Sequence, residues 1–392
     1  MRSLFMQLHL PPPDALHGIT MAHAADPRLH KMDLGVGVYR NEEGYSPAME
    51  AVKNAERILA NSDGSKAYLP TRGHPEFLEG MEGLLFPSDP IDSIVSIQTV
   101  GGTGGIYLAL ELVRRANLDV TVHIGTPSWP NHAGICRHLG VPVREFAHCD
   151  PDSGVPSSKG YLRSLEGAKP GDLLILHGPC HNPTGRDLAF DDAVFLVREA
   201  YDRGVTCLID AAYYGLGNRL EDDLEYLKAM LVAAPATMLI MSGSKAFGLY
   251  RDRIGILFVN CMYARGEDIV AVLGNIARTT YSVPAAHGAQ VIGTILGDPD
   301  LKSHWIGELD AMRDRINGLR DQIHQLADGA PIFSSLQAEK GIFSLLPLSS
   351  DTVTKLADTY GIYIAGSGRI NLAGLSRQTV PLFVEAIRYA NG

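Results

Sequence analysis

The chain has 392 residues, 45% hydrophobic and 20% charged, which is the balance of a globular protein with more than one core. Its net charge of −10 excludes a general nucleic-acid or anionic-membrane binder, which needs a broad basic face, but leaves room for a local basic pocket around a small anion. The five cysteines (Cys136, Cys149, Cys180, Cys207 and Cys261) show no disulfide spacing, so reduced thiols and a cytoplasmic location are expected. At the amino end, MRSLFMQLHLPPPD has a short apolar stretch cut off by prolines. No secretory leader is expected from it, and no run reaches the length of a membrane span. IVSIQTV reads as a strand running into the glycine cluster GGTGG and a helix over 105–115. Further strands are expected at 119–124, 141–147, 172–178, 205–210, 237–242 and 254–259, several of them apolar almost throughout, as strands covered on both faces must be. Helices are expected between them at 191–203 and 222–233. This alternation predicts an α/β fold with a mainly parallel sheet.

The pattern then changes. Ile306, Leu309, Met312, Ile316, Leu319, Ile323 and Leu326 recur at steps of three and four, which makes one long amphipathic helix. GIFSLLPL, GIYIA and GRINLAG follow as strands, with a closing helix near 379–390, so a smaller α+β domain is expected here, bridged to the first by the long helix.

Sites in open α/β sheets form at the carboxyl ends of strands. Several polar residues stand at such ends: Gly101, Gly102 and Thr103 after IVSIQTV, His177 and then Asn182 after DLLIL, Asp210 closing VTCLID ahead of Tyr213, and Ser242, Ser244 and Lys245 after TMLIM. Each alone has a plain structural reading. A strand-end Asp often caps a helix, Asn-Pro-Thr-Gly is a good turn on its own, and a Lys after a Ser-Gly-Ser turn is usually solvated. Together they meet the needs of a pyridoxal phosphate site. Such a site needs an amine for the aldehyde, a carboxylate to keep the pyridine nitrogen protonated, partners for the phenolate oxygen, and an anion cradle. Lys245, Asp210, and Tyr213 with Asn182 fill the first three roles. Gly102 and Thr103 at a helix start suit phosphate, with Ser242, Ser244 and Arg253 completing the cradle and Trp129 available to stack on the ring.

SGSKAFGLYRDRIG resembles the cofactor-lysine segment of class I aminotransferases. HNPTG, DAAYYG, PSWPNH and GSGRINLAG are similar to their other motifs, in the same order. MDLGVGVYRNEEG and RTTYSVPAAHGA are similar to segments of the aspartate/aromatic aminotransferase subfamily, and the likeness runs from about Pro13 onward. The resemblance implies the fold of type I pyridoxal-phosphate transferases, with an N-terminal arm at 1–13, a small domain at 14–46 plus 312–392, and a large cofactor-binding domain at 47–311. It implies that Lys245 holds pyridoxal 5′-phosphate as a Schiff base and shuttles the substrate proton, that Asp210 pairs with the pyridinium with His132 behind it, and that Tyr213 and Asn182 bond the phenolate oxygen. Gly102, Thr103, Ser242, Ser244 and Arg253 hold the phosphate. Arg369 binds the substrate α-carboxylate, and Gly37, Trp129 and Asn182 join it at the substrate. Tyr68 and Arg278 reach the site from the second subunit of a homodimer, Arg278 for a distal carboxylate.

The implied function is amino transfer between an amino acid (aromatic, aspartate or glutamate) and a 2-oxo acid such as 2-oxoglutarate, by a ping-pong mechanism. A strict aspartate aminotransferase and, behind it, a lyase or decarboxylase on the same fold stay open as alternatives, and no nucleic-acid, membrane or metal partner is expected. This chain departs from the pattern at three positions. Gly101 stands where many members have a hydroxyl residue, which implies one phosphate bond fewer. Ala67 and Val283 replace asparagines common in aspartate-selective members, so a looser hold on Arg278 and room for an aromatic ring are expected.

Other chemistries fit less well. From Gly102 the sequence GTGGIY lacks the third glycine of a dinucleotide fingerprint, and no P-loop motif occurs. His177, Cys180 and His181 form H-x-x-C-H without a second pair at zinc spacing, so a packed strand end is expected there. A non-catalytic relative would be expected to lack Lys245 or Arg369, and both are present.

Overall fold

The computed structural model describes residues 4–8, 10, 15–62, 64–88, 90–150 and 155–391. Of the arm expected at 1–13, residues 1–3, 9 and 11–13 lie outside the described residues. The chain divides into two compact units. The smaller comprises Met1–Tyr45, Leu319–Gln337 and Ser344–Gly392, and the larger comprises Ser46–Gly318 and Ala338–Phe343.

In chain order the strands are β1 (Met32–Asp33), β2 (Ile94–Val100), β3 (Val122–Thr126), β4 (Val143–Ala147), β5 (Leu173–His177), β6 (Thr206–Ala211), β7 (Met238–Ser242), β8 (Ile254–Asn260), β9 (Phe343–Leu345), β10 (Ile362–Tyr363) and β11 (Arg369–Asn371). The larger unit is built on one seven-stranded sheet of order β2-β8-β7-β6-β5-β3-β4. Its pairings are parallel except at β8, which runs antiparallel to both β2 and β7. The central strands β7 and β8 are buried at every residue, as their unbroken apolar runs require. The edge strand β4 is half exposed and carries Arg144 and Glu145, charges that discourage further strand pairing.

The helix Gly101–Ala116 buries Ile106, Leu108, Ala109 and Leu110 in a core shared with Ile97, Ile240 and Leu257. Its approach to the sheet is close because Gly105 has no side chain. A Cβ there would come within 2.9 Å of Ile240 Cγ2. The predicted long helix spans Pro299–Ala327. Asp298 caps it, its carboxylate accepting from the N–H groups of Asp300 and Leu301 at 2.9 and 3.0 Å, and Pro299 occupies the first turn, where its missing N–H is no loss.

In the smaller unit β1 pairs in parallel with β10, and β9 pairs with β11. Asn371 anchors the segment after β1, donating through Nδ2 to the Val36 and Val38 carbonyls, both at 2.7 Å. Among the described residues no helix is long and apolar enough to cross a membrane.

Candidate active site

The strand register brings the predicted residues to one edge of the sheet. Val100 pairs with Ile254, Gly255 with Ser242, Met241 with Ala211, and Asp210 with His177. The carboxyl ends of β2, β5, β6 and β7 therefore lie in a row, together with the amino end of the reversed strand β8. The segments leaving those ends carry Gly102, Asn182, Tyr213 and Lys245, and Arg253 immediately precedes β8.

Asp210 is the buried anion of this edge. Its Oδ2 accepts from His132 Nε2 at 2.9 Å. Burial by itself pushes the carboxyl up, but the hydrogen bond from His132 and the nearby positive charge of Lys245 outweigh it, holding Asp210 below the ordinary carboxylate value. Behind His132 the chain of bonds continues. Ser128 Oγ lies 3.0 Å from His132 Nδ1 and 2.9 Å from His177 Nε2. A hydroxyl can donate to one ring and accept from the other, so Ser128 can bridge the two rings. Burial pushes His177 down to about 3, which keeps it neutral at physiological pH. Trp129 meets His132 edge-on, with ring centroids 5.3 Å apart.

Lys245 stands in the short helix Gly243–Ala246. Its Nζ lies 4.8 Å from the centroid of the Tyr213 ring, over the face of a side chain that leaves the next strand. The turn is held from behind. Trp305, fully buried on the long helix, donates its indole N–H to the Ala246 carbonyl at 2.7 Å and stacks on Phe247 at 4.3 Å. Asn182 is buried after β5, beside the H-x-x-C-H segment. That segment is a packed strand end: the His177 and His181 rings are 4.0 Å apart, and His181 Nδ1 pairs with Thr184 Oγ1 at 2.9 Å.

The residues expected to form an anion cradle lie across β7 from Asp210. The helix Gly101–Ala116 begins with no side chain capping it, so its first N–H groups, including those of Gly102 and Thr103, are available to an anion. Ser242 Oγ accepts from Ser244 N at 3.2 Å and bonds Ser244 Oγ at 3.1 Å. A Cβ on Gly102 would stand 3.5 Å from the Ser242 Cβ, so helix start and serines face one another. The Arg253 guanidinium closes the set. It donates to the Tyr250 carbonyl at 3.0 Å and lies over Gly101, where an added Cβ would come within 2.8 Å of Nη2. Gly101 also has φ +66°, which disfavours any side chain. The glycine that seemed to forfeit a phosphate bond gives its space to the arginine.

Tyr68 and Arg278 do not join this cluster within one chain. Tyr68 is 91% exposed, and Arg278 is exposed with Nη1 donating to Ser282 Oγ at 2.6 Å. The smaller unit holds Arg369 and Gly37. Arg369 is buried and donates through Nη2 to the Gly35 carbonyl at 2.7 Å, two residues before Gly37.

The sequence reading did not assign roles to Ser128, His177 as a bridge to His132, or Trp305. The spacing of Ser128 four residues before His132 was the one local signal. The other contacts depend on strand order and on the return of a distant helix.

Residues 30–387 match the family model for aminotransferases of class I and II. The chain is 37% identical over 381 residues to an aromatic-amino-acid aminotransferase of Paracoccus denitrificans, covering 96% of each chain. It is 35% identical over 394 residues to an aspartate aminotransferase of Pseudomonas aeruginosa, covering 98% of this chain and 99% of the relative. A crystal structure of an aromatic-amino-acid aminotransferase from Burkholderia pseudomallei, covalently bound to pyridoxal phosphate, superposes with a TM-score of 0.95 at 32% identity over the full length of both chains. With a lysine, a buried carboxylate and an anion cradle at one sheet edge, the chain belongs to the class I and II aminotransferase family.

Proposed function

We propose that the enzyme transfers amino groups between aromatic amino acids, aspartate or glutamate and 2-oxo acids such as 2-oxoglutarate, with pyridoxal 5′-phosphate at the sheet edge of the larger unit. The observation that carries this reading is the placement of Lys245 over Tyr213, one strand from the Asp210–His132 pair. The residues fit the cofactor. The uncapped helix start under Arg253 suits a phosphate, and Asp210 has one oxygen engaged by His132 and is held ionised, as a partner for a protonated ring nitrogen must be.

When bound, the cofactor supplies an aldehyde and an electron sink. Lys245 would hold the aldehyde and would move the proton at substrate Cα. Asp210 keeps the proton on the ring nitrogen, with His132 orienting it. Tyr213 and Asn182 bond the phenolate oxygen, and Trp129 covers the ring. Gly102, Thr103, Ser242, Ser244 and Arg253 hold the phosphate, joined by Tyr68 of a second subunit. Arg369 takes the α-carboxylate as a bidentate fork, with the backbone near Gly37, and Asn182 also binds substrate.

The exposure of Tyr68 and Arg278 on the single chain supports a homodimer whose subunits complete each other's sites. Five free cysteines support a reducing, cytoplasmic setting.

Steady-state kcat/KM for aspartate, glutamate, tyrosine and phenylalanine, each with a 2-oxo acid acceptor, tests the substrate range. Values for aromatic and dicarboxylic donors within roughly tenfold of each other are expected. Aromatic values about a thousandfold below aspartate would instead mark a strict aspartate enzyme. Mixing inactive Lys245→Ala chains with Arg278→Ala chains, expected to be poor with dicarboxylates, tests the dimer. Subunit exchange should restore dicarboxylate activity in hybrids, and exchange without restored activity would contradict shared sites.

A further inference from the structure

We propose that Ser282 is a positioning residue for substrate choice: it aims the Arg278 guanidinium and thereby sets how strongly the enzyme prefers dicarboxylic over aromatic substrates. The inference rests on the reading of Arg278 as the distal-carboxylate ligand. Arg278 lies in the last turn of the helix Gly266–Thr280, and Ser282 follows just beyond it. The guanidinium has no ion-pair partner among the described residues, so its charge is left for a ligand, and its Nη1 donates to Ser282 Oγ at 2.6 Å. The neighbouring hydroxyls are turned away. Thr279 Oγ1 bonds back to the carbonyls of Asn275 and Ile276, and Thr280 Oγ1 to those of Ile276 and Ala277. Ala67 and Val283 offer no polar side-chain atom.

The backbone at Ser282 gives independent support. Its N–H donates to the Ala277 carbonyl at 3.0 Å, and its φ is +70°, the left-handed conformation that follows many helices and usually goes to glycine. A serine there pays a conformational cost that glycine avoids, and the compensating feature is the hydroxyl on Arg278. An arginine carries its five N–H donors in a rigid planar fork on a flexible stem, and it loses affinity when the direction of that fork is free. A single acceptor at a fixed backbone position restricts that freedom before the substrate arrives.

The test uses the intact enzyme with Ser282→Gly, Ser282→Ala and Arg278→Ala. Ser282→Gly relieves the left-handed strain while deleting the hydroxyl, so Tm should stay the same or rise. KM for aspartate and glutamate should increase roughly five- to tenfold with kcat within about twofold, and kcat/KM for phenylalanine should be unchanged or higher. Ser282→Ala should show the same KM effect. A KM for dicarboxylates within about twofold of wild type in both Ser282 variants, with preference lost in Arg278→Ala, would overturn the role of Ser282 alone. Equal losses for dicarboxylic and aromatic donors would likewise overturn it, because they would signal a general structural effect. If Arg278→Ala keeps the dicarboxylate preference, the assignment of Arg278 itself fails and the proposal falls with it.

Discussion

At the carboxyl edge of the seven-stranded sheet, each chemical group is held from several sides. Asp210 is bonded by His132, which is bonded through Ser128 to His177, and the turn bearing Lys245 is pinned by Trp305. Around Tyr68 and Arg278 the same chain is sparse: one side chain stands in the open and the other is restrained by one hydroxyl. The first region is over-determined by strand register and burial, so its chemistry survives drift elsewhere. The second depends on single contacts, so substitutions there are expected to cost the fold little.

The contrast can be broken by substitution. The largest loss is expected for Lys245→Ala. Without the amine, kcat should fall by at least about 10³-fold, while cofactor is still retained by the phosphate donors, as equilibrium dialysis can show. Asp210→Ala should come next, with kcat down on the order of 10²-fold or more and weaker cofactor retention, because the ring nitrogen loses its ionic partner. Near-normal turnover in that variant would remove Asp210 from the mechanism.

A smaller effect sharpens the role of Gly101. Gly101→Ser adds a hydroxyl, yet here it must adopt φ +66° and press on the Arg253 guanidinium. Roughly 1 kcal/mol of lost stability and a several-fold higher cofactor dissociation constant are expected. Tighter cofactor binding would show that the arginine yields easily.

The smallest effect is on acid stability. Burial pushes His148 down to about 4. In the unfolded chain this histidine takes up a proton near pH 6.5, but in the folded chain only near 4. Between those values the unfolded state binds more protons, so this contribution to stability falls as pH falls from about 6.5 to 4. Asp187, which burial raises to about 6, works in the opposite direction over part of this range. The measurement is therefore a difference: Tm against pH for His148→Gln should fall less steeply than for wild type across this window.

Much of this was legible from residue patterns. Continuous apolar runs located the strands of the large sheet, and the polar residues expected at their ends do gather at one sheet edge. The reversed direction of β8 was not legible, because an apolar strand reads the same either way. The helix expected from 105 begins at Gly101, since a run of glycines carries little helical signal until packing imposes it. The long helix begins seven residues before Ile306, at Pro299, because its first turn is set by the Asp298 cap rather than by apolar periodicity. The relay from Asp210 to His177 needs cross-strand register, and the Trp305 bond needs a helix some sixty residues away to fold back. The restraint on Arg278 was sought at positions 67 and 283, and the structure shows its hydrogen bond on Ser282, just beyond the arginine's own helix end.

The central claim is that Lys245 carries the cofactor at this sheet edge. Borohydride reduction of the cofactor-loaded enzyme followed by peptide mapping tests it most directly. The reduced adduct should lie on Lys245, in the peptide that contains Ser242 and Ser244, and the visible absorbance of the loaded enzyme should disappear on reduction. A stoichiometric adduct on any other lysine would contradict it.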